Sequence, residues 1–76
     1  MSKPKSTPQI RLQLAGQLKK LRKKFGLTQE GMSERIGMDI RYYQRLESKT
    51  PNATKIDTLD RLAKAFKTTP SKLLDF

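Results

Sequence analysis

The sequence predicts an all-α fold, because its apolar spacing and its capping residues are typical of helices. Apolar residues recur every three or four positions near the N-terminus, which gives one apolar stripe along a helix. The members of this stripe are Ile10, Leu14, Leu18, Leu21 and Phe25. Thr28, Asp39 and Thr69 each stand where a side-chain oxygen can cap the start of a further helix. Gly37 can take the positive φ that a sharp turn after a helix requires.

The stripe places the first helix at about Gln9–Phe25, and Gly26 is suited to end it. A second helix is expected over Gln29–Ile36, where Met32 and Ile36 lie four residues apart on one face. The glycine that follows then turns the chain. We therefore expect tight connections between the first and second helices and between the second and third helices.

The third helix is expected to begin after Asp39 and to turn Tyr43 and Leu46, three residues apart, toward the core. Its opposite side then carries two arginines, an amide and an isoleucine. These outward residues are Ile40, Arg41, Gln44 and Arg45. A merely solvated helix face would more often use Glu and Lys, whereas Arg and Gln make bidentate contacts to guanine and adenine in the major groove.

The remaining chain predicts a fourth helix that starts near Thr54 or Lys55 and a short fifth helix after Thr69, with Pro70 in its first turn. The fourth helix is expected to turn one apolar face inward. The residues of that face are Ile56, Leu59, Leu62, Ala63 and Phe66.

Composition limits the kinds of protein that this chain can be. With 76 residues it is expected to form one domain, residues 9–76, after a basic arm, residues 1–8, that we expect to be disordered. Seventeen Lys and Arg against seven Asp and Glu give a net charge of +10, which favours a polyanionic partner. Lys3 and Lys5 would let the arm follow DNA phosphates, unless the arm is only a frayed terminus.

The absence of cysteine and histidine from the sequence excludes disulfides, zinc fingers and catalytic Ser-His or Cys-His pairs. No apolar run approaches the roughly 20 residues that span a membrane, and no secretory signal is present. We therefore expect a cytoplasmic protein that is not an enzyme, has no metal or cofactor, and offers no evident site for a small-molecule ligand.

The stretch Gln29–Ser48 resembles the helix-turn-helix of the lambdoid phage repressor and Cro family, also called the XRE family. The resemblance rests on a polar first residue, a small residue, a turn glycine and several apolar positions. These residues are Gln29, Ser33, Gly37, Met32, Ile36, Met38, Tyr43 and Leu46. It extends over roughly Leu18 to Phe76 and implies a five-helix lambda-repressor-like bundle. Ser33, where alanine is usual, and Gly31 inside a helix depart mildly from the family pattern.

The resemblance also implies roles for particular residues. Arg22 would form a structural ion pair with Glu47, the alternative being two exposed charges that never meet. Gln29 would contact a DNA phosphate at a helix N-terminus, where backbone N–H groups favour an anion; the alternative is a surface glutamine. Further phosphate contacts are expected from the residues after the third helix and from the first tyrosine of that helix. They are Lys49, Thr50, Asn52 and Tyr42.

These features together predict sequence-specific binding of double-stranded DNA by a repressor-like transcriptional regulator. Arg41 and Arg45 would contact base edges, with Gln44 and Ile40 as lesser candidates. The alternatives are the antitoxin, or another protein-interaction module, of a toxin–antitoxin pair, and non-specific binding of a polyanion such as RNA. Any homodimer would have to use the bundle itself, through the fifth helix and Phe76.

Overall fold

The structure is a computed structural model that describes residues 8–76. This part of the chain folds into five α-helices and contains no β-strand. The helices are α1 (Gln9–Lys24), α2 (Gln29–Ile36), α3 (Ile40–Leu46), α4 (Ile56–Ala65) and α5 (Pro70–Leu73). The prediction of an all-α, five-helix fold is therefore confirmed. The predicted basic arm lies outside the described residues, apart from Pro8.

A single apolar core receives side chains from all five helices. The largest side chains that are fully buried in it are Leu18, Met32, Tyr43, Leu46, Leu62 and Leu73. Within the bundle, α2 packs against both α3 and α4, and α4 packs against α5. Because burial of apolar area is the main stabilising term in a domain of this size, the core fixes the position of α3 through one side of that helix.

The three N-caps expected from the sequence are all present. Thr28 accepts a hydrogen bond from the third residue of α2 at 2.9 Å, and Asp39 accepts one from the second residue of α3 at 2.7 Å. Thr69 accepts from the third residue of α5 at 3.3 Å, and Pro70 is the first residue of that helix. Each cap satisfies a backbone N–H that has no partner within its helix.

The turn between α2 and α3 has the geometry of a helix that ends in a left-handed residue. Gly37 has φ of +67°, and a Cβ added there would meet no atom within 4 Å, so its backbone angle and not space favours glycine. The N–H of Met38 donates to the carbonyl of Ser33 at 2.8 Å, which closes the last turn of α2. Ser33 is buried, and its hydroxyl donates to the carbonyl of Glu30 at 2.8 Å.

The prediction that Ile56 belongs to the inward face of α4 is wrong, because Ile56 is 78% exposed. Ile56 is the first residue of the helix and lies about 120° around the axis from the buried Leu62. The spacing from Ile56 to Leu59 is helical, but only Leu59 packs against the core. An apolar residue at helical spacing is buried only where a neighbouring element covers it.

The apolar stripe of α1 is likewise buried in its middle and exposed at its ends. Leu14 and Leu18 belong to the core, whereas Ile10 is 56% exposed. The helix ends at Lys24, one residue earlier than predicted, and Phe25 follows it. The Phe25 ring remains in contact with the bundle, because it packs edge-on against the ring of Phe66 with 5.4 Å between centroids.

Phe76, the last residue printed in the sequence, is 47% exposed. Among the described residues, none of the helices combines the length and the apolar character needed to cross a membrane.

Candidate nucleic-acid interface

The outward side of α3 presents polar side chains that the described part of the protein leaves without partners. Arg41, Gln44 and Arg45 are exposed, and Ile40 beside them is half-buried. Within residues 8–76, none of the three polar side chains makes a hydrogen bond or an ion pair. Arg41 and Arg45 lie four residues apart, so they project from the same side of the helix. Their guanidinium groups are therefore available to a ligand outside the fold.

The inward side of the same helix is closed to ligands. Tyr43 is 0% exposed and Leu46 is 2% exposed, in agreement with their predicted inward orientation. Tyr42 is half-buried and packs against the edge of the core, which leaves only part of its ring accessible. The helix thus has one side held by the bundle and one side that faces solvent.

The carboxylate of Glu47, which follows α3 directly, is the centre of a buried polar network. Arg22 of α1 donates through Nε to Oε2 at 2.7 Å and through Nη2 to Oε1 at 3.0 Å. Gln29 Nε2 donates to Oε1 at 3.0 Å, and the Tyr43 hydroxyl donates to Oε2. The remaining guanidinium nitrogen of Arg22 donates to the carbonyl of Leu27 at 2.9 Å. The ion pair implied by the resemblance is present and joins α1 to the end of α3, and the bond from Gln29 adds α2 to the network.

The electrostatics of this network favour an ionised Glu47. Burial by itself would raise the pKa of Glu47, but the hydrogen bonds from Arg22, Tyr43 and Gln29 together hold it below its ordinary value. The hydrogen bond to Glu47 raises the pKa of Arg22, and burial together with the bond to Glu47 raises the pKa of the Tyr43 hydroxyl. The side chains of Arg22 and Glu47 are only 11% and 1% exposed, so water screens their attraction weakly.

Gln29 is the residue for which the structure adds a partner that sequence reasoning missed. Its side chain, expected to contact phosphate, is half-buried and already donates one N–H to Glu47. The two residues are 18 positions apart, so no local spacing rule could have linked them. The structure therefore connects the first residue of α2 to the end of α3.

The loop after α3 presents two of the residues expected to contact phosphate. Lys49 and Thr50 are exposed, whereas Asn52 is half-buried. The Ser48 hydroxyl donates to the carbonyl of Arg45 at 2.7 Å and accepts from the N–H of Thr50 at 3.2 Å. These bonds fix the start of the loop to the end of α3, next to the outward side of that helix.

The described residues hold no cluster of three or more His, Cys, Asp or Glu side chains that could bind a metal ion. The outward side of α3 and the loop after it instead offer cationic and amide hydrogen-bond donors. Such groups are suited to phosphate oxygens and to the acceptor edges of bases.

Comparison with known proteins agrees with this geometry. A family model described as helix-turn-helix matches residues 18–73. The crystal structure of the hypothetical transcription factor NHTF from Neisseria is similar in fold, with a TM-score of 0.77 at 25% sequence identity over 96% of this chain and 84% of that chain. None of the curated proteins matches the chain. Because the family model covers most of its length, the protein belongs to the XRE-type helix-turn-helix family of DNA-binding transcriptional regulators.

Proposed function

We propose that the protein is a repressor-like regulator that recognises a specific sequence in double-stranded DNA by placing α3 in the major groove. One observation supports this proposal above the others. Arg41, Gln44 and Arg45 are exposed and have no partner among residues 8–76, while the other side of α3 is fixed in the core. An α-helix presented in this way fits the width of the major groove.

Base recognition belongs to the outward residues of α3. Arg41 and Arg45 would each donate two hydrogen bonds to O6 and N7 of a guanine, and Gln44 would suit an adenine. Ile40 is half-buried and would offer its remaining apolar surface to a thymine methyl group. These contacts would give the sequence preference.

Phosphate contacts would supply affinity and would set the register of the protein on the duplex. They fall at the start of α2, on α3 and in the loop after α3. The proposed residues are Gln29, Tyr42, Lys49, Thr50 and Asn52. The net charge of +10 supports a strong, salt-dependent attraction to the phosphate backbone.

A homodimer on a palindromic site would place two α3 helices about 34–36 Å apart, one helical turn of DNA. The exposed ring of Phe76, beyond α5, supports a two-fold contact at that end of the bundle. Sedimentation at several protein concentrations, with and without a palindromic duplex, tests this arrangement. We also predict that the protein is located in the cytoplasm.

The proposal is tested by selecting bound sites from random duplex DNA and then titrating salt on a selected and a scrambled duplex. We expect an enriched sequence and a tighter complex with the selected duplex at every salt concentration. Equal affinities for the two duplexes would instead support non-specific polyanion binding.

A further inference from the structure

The outer side of α1 carries a group of cations that the proposed contact between α3 and DNA does not use. Four exposed lysines in the second half of this helix form the group, here called the lysine face: Lys19, Lys20, Lys23 and Lys24. None of them has an ion-pair partner within residues 8–76, and α1 contains no Asp or Glu among its 16 residues. The lysine face is therefore a concentrated positive charge that the fold does not neutralise.

The spacing of these lysines destabilises α1. Lys19 and Lys23 are like charges four residues apart, and Lys20 and Lys24 repeat the arrangement, which is unfavourable on a helix. The helix dipole favours cations only in the last turn, where Lys23 and Lys24 lie. Lys19 and Lys20 lie before that turn, so helix stability does not account for them. Binding of a polyanion would give all four lysines a role.

The lysine face also points away from the end of α3. Arg22 reaches that end, because its guanidinium group bonds to Glu47. Lys20 and Lys24 each lie two residues from Arg22, which is about 160° around the helix axis at 3.6 residues per turn. These two lysines therefore point away from the place at which α3 would hold a duplex.

We propose that the lysine face binds the phosphate backbone of a second DNA duplex, so that one protein molecule bridges two duplexes. The inference rests on the proposed function, because α3 holds the first duplex. Lysine binds phosphate as a point charge, whereas it is depleted at protein–protein interfaces, where aromatic side chains and arginine are enriched. Because its contacts go only to phosphate, the second duplex binds without sequence preference and more weakly than the first.

The test immobilises a selected duplex on beads and titrates the bound protein with a labelled, scrambled duplex. The wild type should capture the labelled duplex at low salt and release it as salt rises. The double variant Lys20→Gln/Lys24→Gln removes two charges and keeps polar side chains. We expect it to reduce the salt slope of log K for the second duplex by about 2, one for each lost phosphate contact, and to keep the affinity for the selected duplex alone.

The control is Lys55→Gln/Lys72→Gln, which removes two exposed lysines outside α1 and should capture the second duplex as the wild type does. A wild type that captures no second duplex, or equal capture by the two double variants, would overturn the proposal. Weaker binding of the selected duplex alone by the α1 variant would also overturn it, since the lysines would then contact the first duplex. Failure of the proposed function looks different, because the wild type would bind selected and scrambled duplexes equally in solution.

If a variant does not fold, ¹⁵N NMR of the wild type locates the second duplex without any substitution. The protein is first saturated with the selected duplex, and the scrambled duplex is then added. We expect the backbone amide resonances of residues 19–24 to shift and those of residues 40–46 to stay unchanged. Resonances of residues 19–24 that do not respond would contradict a second site on α1.

Discussion

The two sides of α3 differ in whether their polar side chains have hydrogen-bond partners within the fold. On the inward side, the hydroxyl of Tyr43 bonds to Glu47, and no buried side-chain nitrogen or oxygen in residues 8–76 lacks a partner. On the outward side, Arg41 and Arg45 are exposed without any side-chain partner in the same part of the chain. Both sides belong to a helix of seven residues.

This difference separates the residues that hold the helix from those that are free to bind. Changes on the inward side should act on the free energy of unfolding, because they leave buried groups unpaired or uncovered. Changes on the outward side should lower DNA affinity and should alter the free energy of unfolding by less than about 0.5 kcal/mol. Each of the following predictions tests one half of that division.

The largest effect is expected from Arg22→Ala. The variant leaves the carboxylate of Glu47, only 1% exposed, without its ion-pair partner, which should destabilise the fold by about 3–5 kcal/mol. Urea unfolding measures the change. Lys20→Ala, at an exposed position of the same helix, is the control and should alter stability by less than about 0.5 kcal/mol. Similar small losses of stability in both variants would show that the network around Glu47 contributes little to the free energy of unfolding.

The outward side is tested by Arg41→Ala. We expect a loss of about 1–3 kcal/mol in binding free energy, confined to duplexes that keep the preferred base at one position, and no change in urea stability. Competition among duplexes with single base-pair changes measures both affinity and preference. Lys72→Ala, an exposed cation on α5, controls for the lost charge. A uniform loss across all sequences would place Arg41 on a phosphate instead.

The cap at the start of α3 should contribute less. Asp39→Ala removes the acceptor for the N–H of Arg41, at 2.7 Å, and should cost about 1 kcal/mol of stability. Asp75→Ala removes an exposed carboxylate that caps no helix and serves as the matched control. Thermal unfolding of the two variants side by side gives the difference, and equal melting temperatures would contradict the cap.

The pH dependence of stability is a finer test of the inward side. The pKa of Glu47 is lower in the folded protein than its ordinary value of 4.5, so the folded state binds fewer protons than the unfolded state. The stabilisation from Glu47 is therefore complete above that value and is lost as pH falls through the lower folded pKa. Urea midpoints between pH 7 and acid should fall more steeply for the wild type than for Glu47→Gln. Parallel curves would exclude this carboxylate as the source.

Features of the fold that depend on neighbouring residues could be predicted from the sequence. Caps at Thr28 and Asp39 and the turn at Gly37 depend on side-chain oxygens and on backbone angles within a few residues. The backbone conformation of Lys67 could not be predicted in this way. This residue takes φ of +56° just after α4, a conformation that a residue with a Cβ seldom adopts and that only glycine would have signalled.

Features that depend on distant parts of the chain could not be worked out from spacing. Arg22 and Glu47 are 25 positions apart, and their pairing was expected only from resemblance to a family. No such resemblance linked Gln29 to Glu47, since this contact depends on how α2 crosses α3. Ile56 has the helical spacing of an inward residue, yet it is exposed, because burial depends on whether a distant part of the chain covers it.

The most direct test of the outward side of α3 replaces single guanines in the selected duplex with 7-deazaguanine, which lacks the N7 acceptor in the major groove. We expect one such replacement to weaken binding of the wild type severalfold and to have no further effect on Arg41→Ala, because the donor for that N7 is already gone. If no replacement weakens the wild type, or if every replacement weakens both proteins equally, Arg41 does not contact a guanine edge.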